Sequence, residues 1–219
     1  MARVTLLGCY TYEDQTALNI FKHFLQKHSP STELVLVNKL PEGLYGFTHC
    51  EAYLGILEEI KTEYVITTDI RDVVVQRDLS QFPQKPLAFF AENNTIGPCP
   101  FNSVWMKAHY GDDVLKQVKD KPIINCSIVA GTTDNMKKFL LDSLEEMVQF
   151  TPHVNGLDMA VHNYLYYIKK YPAHLYGHNE PVFTCGYSDY IRTQRHVILN
   201  DYCRVPFIVH QYDRHLSVL

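Results

Sequence analysis

Residues 64–76 read YVITTDIRDVVVQ. An apolar run reaches Asp69, passes Ile70, Arg71 and Asp72, and returns at once to three valines. Salt-bridge chemistry accounts for such a corner, and so does a metal site; what surrounds it decides where the corner sits. Upstream, RVTLLGCY (3–10) is a continuous apolar strand, and Ala17, Leu18, Phe21, Phe24 and Leu25 recur at helical spacing in a helix expected from about Asp14. HSPST (28–32) ends that helix, ELVLVNKL (33–40) is a second strand of the kind buried on both faces, and CEAYLGILEEIKTE (50–63) is a second helix that delivers the chain to YVITTD. Strand, helix, strand, helix, strand predicts a parallel α/β sheet. Such sheets bind ligands beyond the carboxyl ends of their strands, here around Gly8 to Thr11 and around Thr68 to Asp72.

Downstream, PLAFFAEN (86–93) predicts another strand, and INCSIVAGTTDNMKKFLLDSLEEMVQF (124–150) a strand running into a long helix capped near Thr133 or Asp134. GLDMAVHNYLYYIKKY (156–171) predicts a helix and FIVHQYD (207–213) a last strand. The tyrosines of residues 162–178 fall at helical spacing and are expected to pack. No internal repeat, low-complexity tract or linker divides the 219 residues, so one domain is expected.

Composition excludes more than it selects. With 46% hydrophobic and 20% charged residues and a formal net charge of −4, the chain has no field to attract nucleic acid. The N-terminal apolar run is too short for a signal peptide, and no segment approaches the roughly 20 apolar residues of a membrane span. Cys9, Cys50, Cys99, Cys126, Cys185 and Cys203 show no CxxC spacing, which predicts reduced thiols, a cytoplasmic location and no zinc site.

Asp69 and Asp72 are three residues apart, so a continuing strand would point them to opposite faces and a tight turn would aim both at one point. Two carboxylates about 4 Å apart repel by roughly 4 kcal/mol at an effective dielectric near 20, and a bound divalent cation turns that repulsion into attraction. Oxygen ligands favour magnesium or manganese. The alternative is that Arg71 neutralises one aspartate while the other caps the turn. Asp78, six residues on, is expected to cap a turn.

Taken in order, VTLLGCY, VITTDIRDVVVQ, INCSIVAG, NGLDMAVHNYL and IVHQYDR resemble the GT-A fold glycosyltransferases over nearly the whole chain, especially the metal-dependent glycogenin-like group and related viral and bacterial sugar transferases. The resemblance implies a single GT-A domain: a Rossmann-like mixed sheet flanked by helices, with a nucleotide-binding half over about 1–110 and an acceptor half over about 120–219. It implies transfer of a sugar from a nucleotide diphosphate donor, UDP favoured, to a hydroxyl acceptor such as a glycan. Manganese, or magnesium in its place, would bridge the diphosphate, held by an acidic DxD motif and a late histidine. Asp69 and Asp72 match that motif and His210 the histidine. The chain has DIRD, with two residues between the aspartates where the family has one; alignment on the following valines makes Asp72 the better metal ligand and leaves Asp69 for the ribose or a supporting hydrogen bond.

Arg71 would offer its planar fork to phosphate, or pair with Asp69. Asn125 and the turn at Gly131 match the part of the family that shapes the donor sugar pocket, or form an ordinary turn. Asp158 matches an acidic position facing the sugar, or is a helix N-cap. Gly8, Tyr10 and Thr11 would approach the base and ribose. Two alternatives remain open at this level: a nucleotidyltransferase making the sugar nucleotide, against which LLGCYTYEDQ lacks a glycine-rich basic loop, and a non-catalytic carbohydrate-binding domain on the same fold.

Overall fold

The computed structural model describes residues 3–10, 15–38, 45–150 and 155–218. Runs of aliphatic residues make β1 (Val4–Tyr10), β2 (Glu33–Asn38) and β3 (Tyr64–Asp69), joined by α1 (Gln15–His28) and α2 (Tyr45–Leu57). β1 lies between its two neighbours and is parallel to both, with Cys9 opposite Asp69. Successive side chains of a strand point to opposite faces. Leu6 and Ile66 therefore meet Leu18, Phe21 and Leu25 of α1 on one face, while Leu7 and Val65 join the core cluster on the other, which contains Leu57 of α2.

After the acidic corner come β4 (Val73–Val75), β5 (Leu87–Thr95), α3 (Asn102–Val118), β6 (Pro122–Thr132), α4 (Thr133–Met147) and α5 (Leu157–Tyr167). Short strands follow: β7 (His174–Tyr176), β8 (Val182–Thr184), β9 (Arg192–Gln194), β10 (Val197–Leu199) and β11 (Ile208–His210). The main sheet has the order β2-β1-β3-β6-β5-β7. It is mixed and flanked by helices on both faces, as the resemblance implied: β1, β2 and β3 are parallel, as their strand-helix alternation predicts, and β6 runs against both β3 and β5. The reason is local. α3 leaves and returns at the same end of the sheet, since Thr95 pairs with Pro122 and the Ile96 N–H donates to Lys121 O at 3.0 Å, so β5 and β6 are a hairpin with a helix in its loop.

A smaller sheet, ordered β4-β11-β8, continues from the corner. β11 is antiparallel to β4, with His210 opposite Val73, and parallel to β8. Val73, Val75, Val182 and Ile208 join the α1-side core. Asp78 accepts the Ser80 N–H at 2.9 Å and caps a short 3-10 helix. Thr132 caps α4, one residue before the expected position. Tyr166, Tyr167 and Tyr171 pack against the second core cluster, and Tyr164 stacks on Tyr110 with ring centroids 3.9 Å apart. All six cysteines are free. Among the described residues no helix is long and apolar enough to cross a membrane.

Candidate functional site

The corner lies where β3 leaves the main sheet and β4 enters the small one. Ile70 N–H donates to Cys9 O at 3.1 Å and Gln211 N–H to Asp72 O at 2.7 Å, so the corner's backbone is tied to β1 on one side and to the residue after β11 on the other. That pairing brings together groups far apart in sequence: His210 Nε2 lies 3.7 Å from Asp72 Oδ2. The second oxygen, Asp72 Oδ1, is buried without a hydrogen-bond partner. Burial pushes the Asp72 carboxyl above its usual range, with His210 and Arg71 opposing that rise and Asp69 and Asp213 adding to it.

Asn125 completes the group through a break in β6. Phe89 pairs with Val129 and Ala91 with Ile124, so Phe90 alone faces Asn125, Cys126, Ser127 and Ile128. Bulges of this kind re-aim side chains next to binding sites. Here Ser127 Oγ donates to Asp69 Oδ2 at 2.7 Å. The Asn125 carbonyl accepts the Ser127 and Ile128 N–H groups at 2.8 and 3.2 Å, which turns its amide nitrogen toward His210 Nδ1 at 2.6 Å. An amide nitrogen can only donate. Nδ1 must therefore be the bare nitrogen, and the ring proton sits on Nε2, facing Asp72. Burial drives the His210 pKa down, against the pull of Asp72 and Asp69, so the ring is neutral near pH 7.

The remaining expected residues fall as follows. Arg71 has a side chain 65% exposed, loosely paired with Asp72 at 4.0 Å and Asp213 at 3.7 Å, and it does not serve Asp69. Asp158 is in the first turn of α5; the N-cap is Gly156. Its Oδ1 accepts the Met159 N–H at 2.9 Å and its Oδ2 faces Cys126 Sγ at 3.5 Å. Gly8 is buried in β1, where a Cβ would run into Ile70 and press on Leu36, so packing alone accounts for the glycine. Tyr10 is partly buried against the α1-side core. Thr11 lies outside the described residues.

Four residues of this site escaped the sequence reading. Glu92, near the carboxyl end of β5, is buried, and burial raises its carboxyl to about 7, with Arg214 opposing and Asp72 adding. Its signal was the one used for Asp69, an acid ending an apolar strand. Asp213 and Arg214 come shortly after His210, beyond Gln211 and Tyr212, and Arg214 acts electrostatically on Glu92 and His210. Ser127 carried no signal, because the bulge that presents it is not visible in INCSIVAG.

A hard divalent cation fits Asp72, whose unpartnered oxygen lacks only a positive partner. His210 fits in place but not in proton position: an ion on Nε2 requires the proton on Nδ1, and hence a reversed Asn125 amide that gives up two backbone hydrogen bonds. Among the described residues no group of three or more His, Cys, Asp or Glu side chains could hold an ion by itself, so oxygens of water or of a bound ligand would have to complete the shell, as magnesium sites commonly arrange. No family model matches the chain, and no curated protein matches it either.

Proposed function

We propose that the chain is a metal-dependent glycosyltransferase of GT-A type, moving a sugar from a nucleotide diphosphate donor, UDP favoured, to a hydroxyl acceptor on a glycan. The observation that carries this reading is the buried Asp72 carboxylate, one oxygen unpartnered and the other 3.7 Å from His210, at the carboxyl edge of a nucleotide-type β-α-β unit. Support also comes from the mixed sheet and from the two arginines beside the corner.

Asp72 would hold manganese or magnesium, with His210 beside it. When bound, the ion supplies positive charge to the diphosphate as the bond to the sugar breaks. Arg71, exposed and only loosely paired, is free to turn its fork to a phosphate, and Arg214 adds a second positive charge. Asp69, fixed by Ser127, offers its remaining oxygen to a ribose or sugar hydroxyl. Asn125 holds the His210 ring in orientation, and Asp158 stands by the transferred sugar. Glu92, titrating near neutrality in the same cluster, has the property a proton acceptor for a sugar hydroxyl requires.

Titration with manganese and UDP-glucose or GDP-mannose tests the reading. Donor binding and hydrolysis should require the ion, and Asp72→Asn should abolish metal-dependent donor binding. Unchanged manganese affinity in that variant would rule out Asp72 as ligand. Sugar binding indifferent to metal would favour a non-catalytic carbohydrate-binding module.

A further inference from the structure

Between the sheet and helices α2, α4 and α5 lies a cavity of about 100 Å³ that Asp69 of the corner and Ser127 of the β6 bulge share with Asp158, Leu140, Val129 and His162. His162 is 4% exposed, and neither ring nitrogen has a hydrogen-bond partner. Its ring is wedged between Phe89, nearly parallel at 6.3 Å, and Phe139, edge-on at 4.8 Å, so it cannot swing out to water. Buried polar groups are ordinarily satisfied, and an exception of this kind asks for the missing partner.

The cavity's size and chemistry narrow that partner. Whole-ligand pockets run to several hundred Å³, whereas about 100 Å³ holds a hydroxymethyl-sized group with a water or two. Burial holds the His162 pKa down at about 4, with Asp158 opposing, so the ring is neutral and offers one donor and one acceptor, the complement of a hydroxyl. Asp158 and Asp69, both of which line the cavity, repel an anionic group. The Asp158 carboxylate is itself engaged by the Met159 N–H and Cys126 Sγ, whereas both ring nitrogens of His162 lack a hydrogen-bond partner.

Resting on the sugar-transfer reading above, we propose that this cavity receives the hydroxymethyl arm of the transferred sugar and that His162 pairs with its hydroxyl, so that the chain selects neutral hexose donors over pentose and uronate counterparts. Calorimetric titration in manganese buffer, first with bare UDP and GDP, then with UDP-glucose, UDP-xylose and UDP-glucuronate, and with GDP-mannose beside GDP-rhamnose, tests it. For whichever nucleotide binds, the donor with the hydroxymethyl group should bind at least tenfold more tightly than its counterpart without it, and the uronate most weakly. His162→Phe should erase that preference and His162→Gln, which keeps a donor and an acceptor, should retain it. Should the Phe variant not fold, the ring ¹⁵N resonances of wild-type His162 decide: they should move on adding the preferred donor and stay put with its counterpart. A bare nucleotide that binds, followed by equal affinities for the paired donors or an unmoved His162 resonance, overturns the cavity's role alone. If neither nucleotide binds, the transfer reading falls and this proposal with it.

Discussion

Asn125 is 1% exposed and connects the backbone of the β6 bulge to the imidazole beside Asp72. Because its carbonyl is committed to two N–H groups, it fixes which nitrogen of His210 carries the proton. Asn125→Asp would keep those two bonds through one oxygen and place an acceptor at Nδ1 through the other. The proton would then move to Nδ1 and free Nε2 for a metal, the carboxylate–histidine–metal arrangement that strengthens ligand basicity. Manganese affinity should rise by about tenfold in the variant, the low end of what such partners contribute, read by titration with paramagnetic resonance detection. Unchanged or weaker binding would mean that proton position is not what limits His210.

At the scale of elements, α5 carries both Asp158 and His162, and its start is set by Gly156. That residue has φ of 76°, and a Cβ there would run into the Trp105 indole ring. Gly156→Ala should lower the urea midpoint by an amount equivalent to about 1–3 kcal/mol, the usual cost of strain at such a position. Trp105 is the chain's one tryptophan, so its fluorescence reports the change directly, and an unshifted midpoint would show that the α5 start yields easily. The unit β1-α1-β2-α2-β3 was legible in the sequence because strands buried on both faces read as unbroken aliphatic runs. The corner was legible because acids ending such a run stand out. α3 was not, since Gly111 breaks its helical φ/ψ with φ of 80° and interrupts the apolar spacing. The direction of β6 was hidden too, because strand patterns carry no polarity. His162 was absorbed into a stripe of packing tyrosines: spacing places a side chain on a buried face but says nothing of whether its polar atoms find partners there.

For the molecule as a whole, Glu92 links the site to global stability. Its carboxyl titrates near 4.5 when unfolded and about 7 when folded. Below about 4.5 both states bind the proton; between the two values the unfolded chain releases it first, and stability falls as pH rises, by on the order of 3 kcal/mol in full. Glu92→Gln should remove that decline, so that wild type and variant converge near pH 4 while the variant is the more stable at pH 8, measured by urea unfolding at both. Parallel curves would place the Glu92 carboxylate in a better-solvated setting. The join between the two sheets has another implication. Asp72 meets His210 only through the register of β4 with β11, and β5 to β10 lie between those two strands in the chain. A chain that has assembled only its first three strands holds Asp72 without its imidazole neighbour, so the pair forms only when the small sheet closes across all the intervening elements.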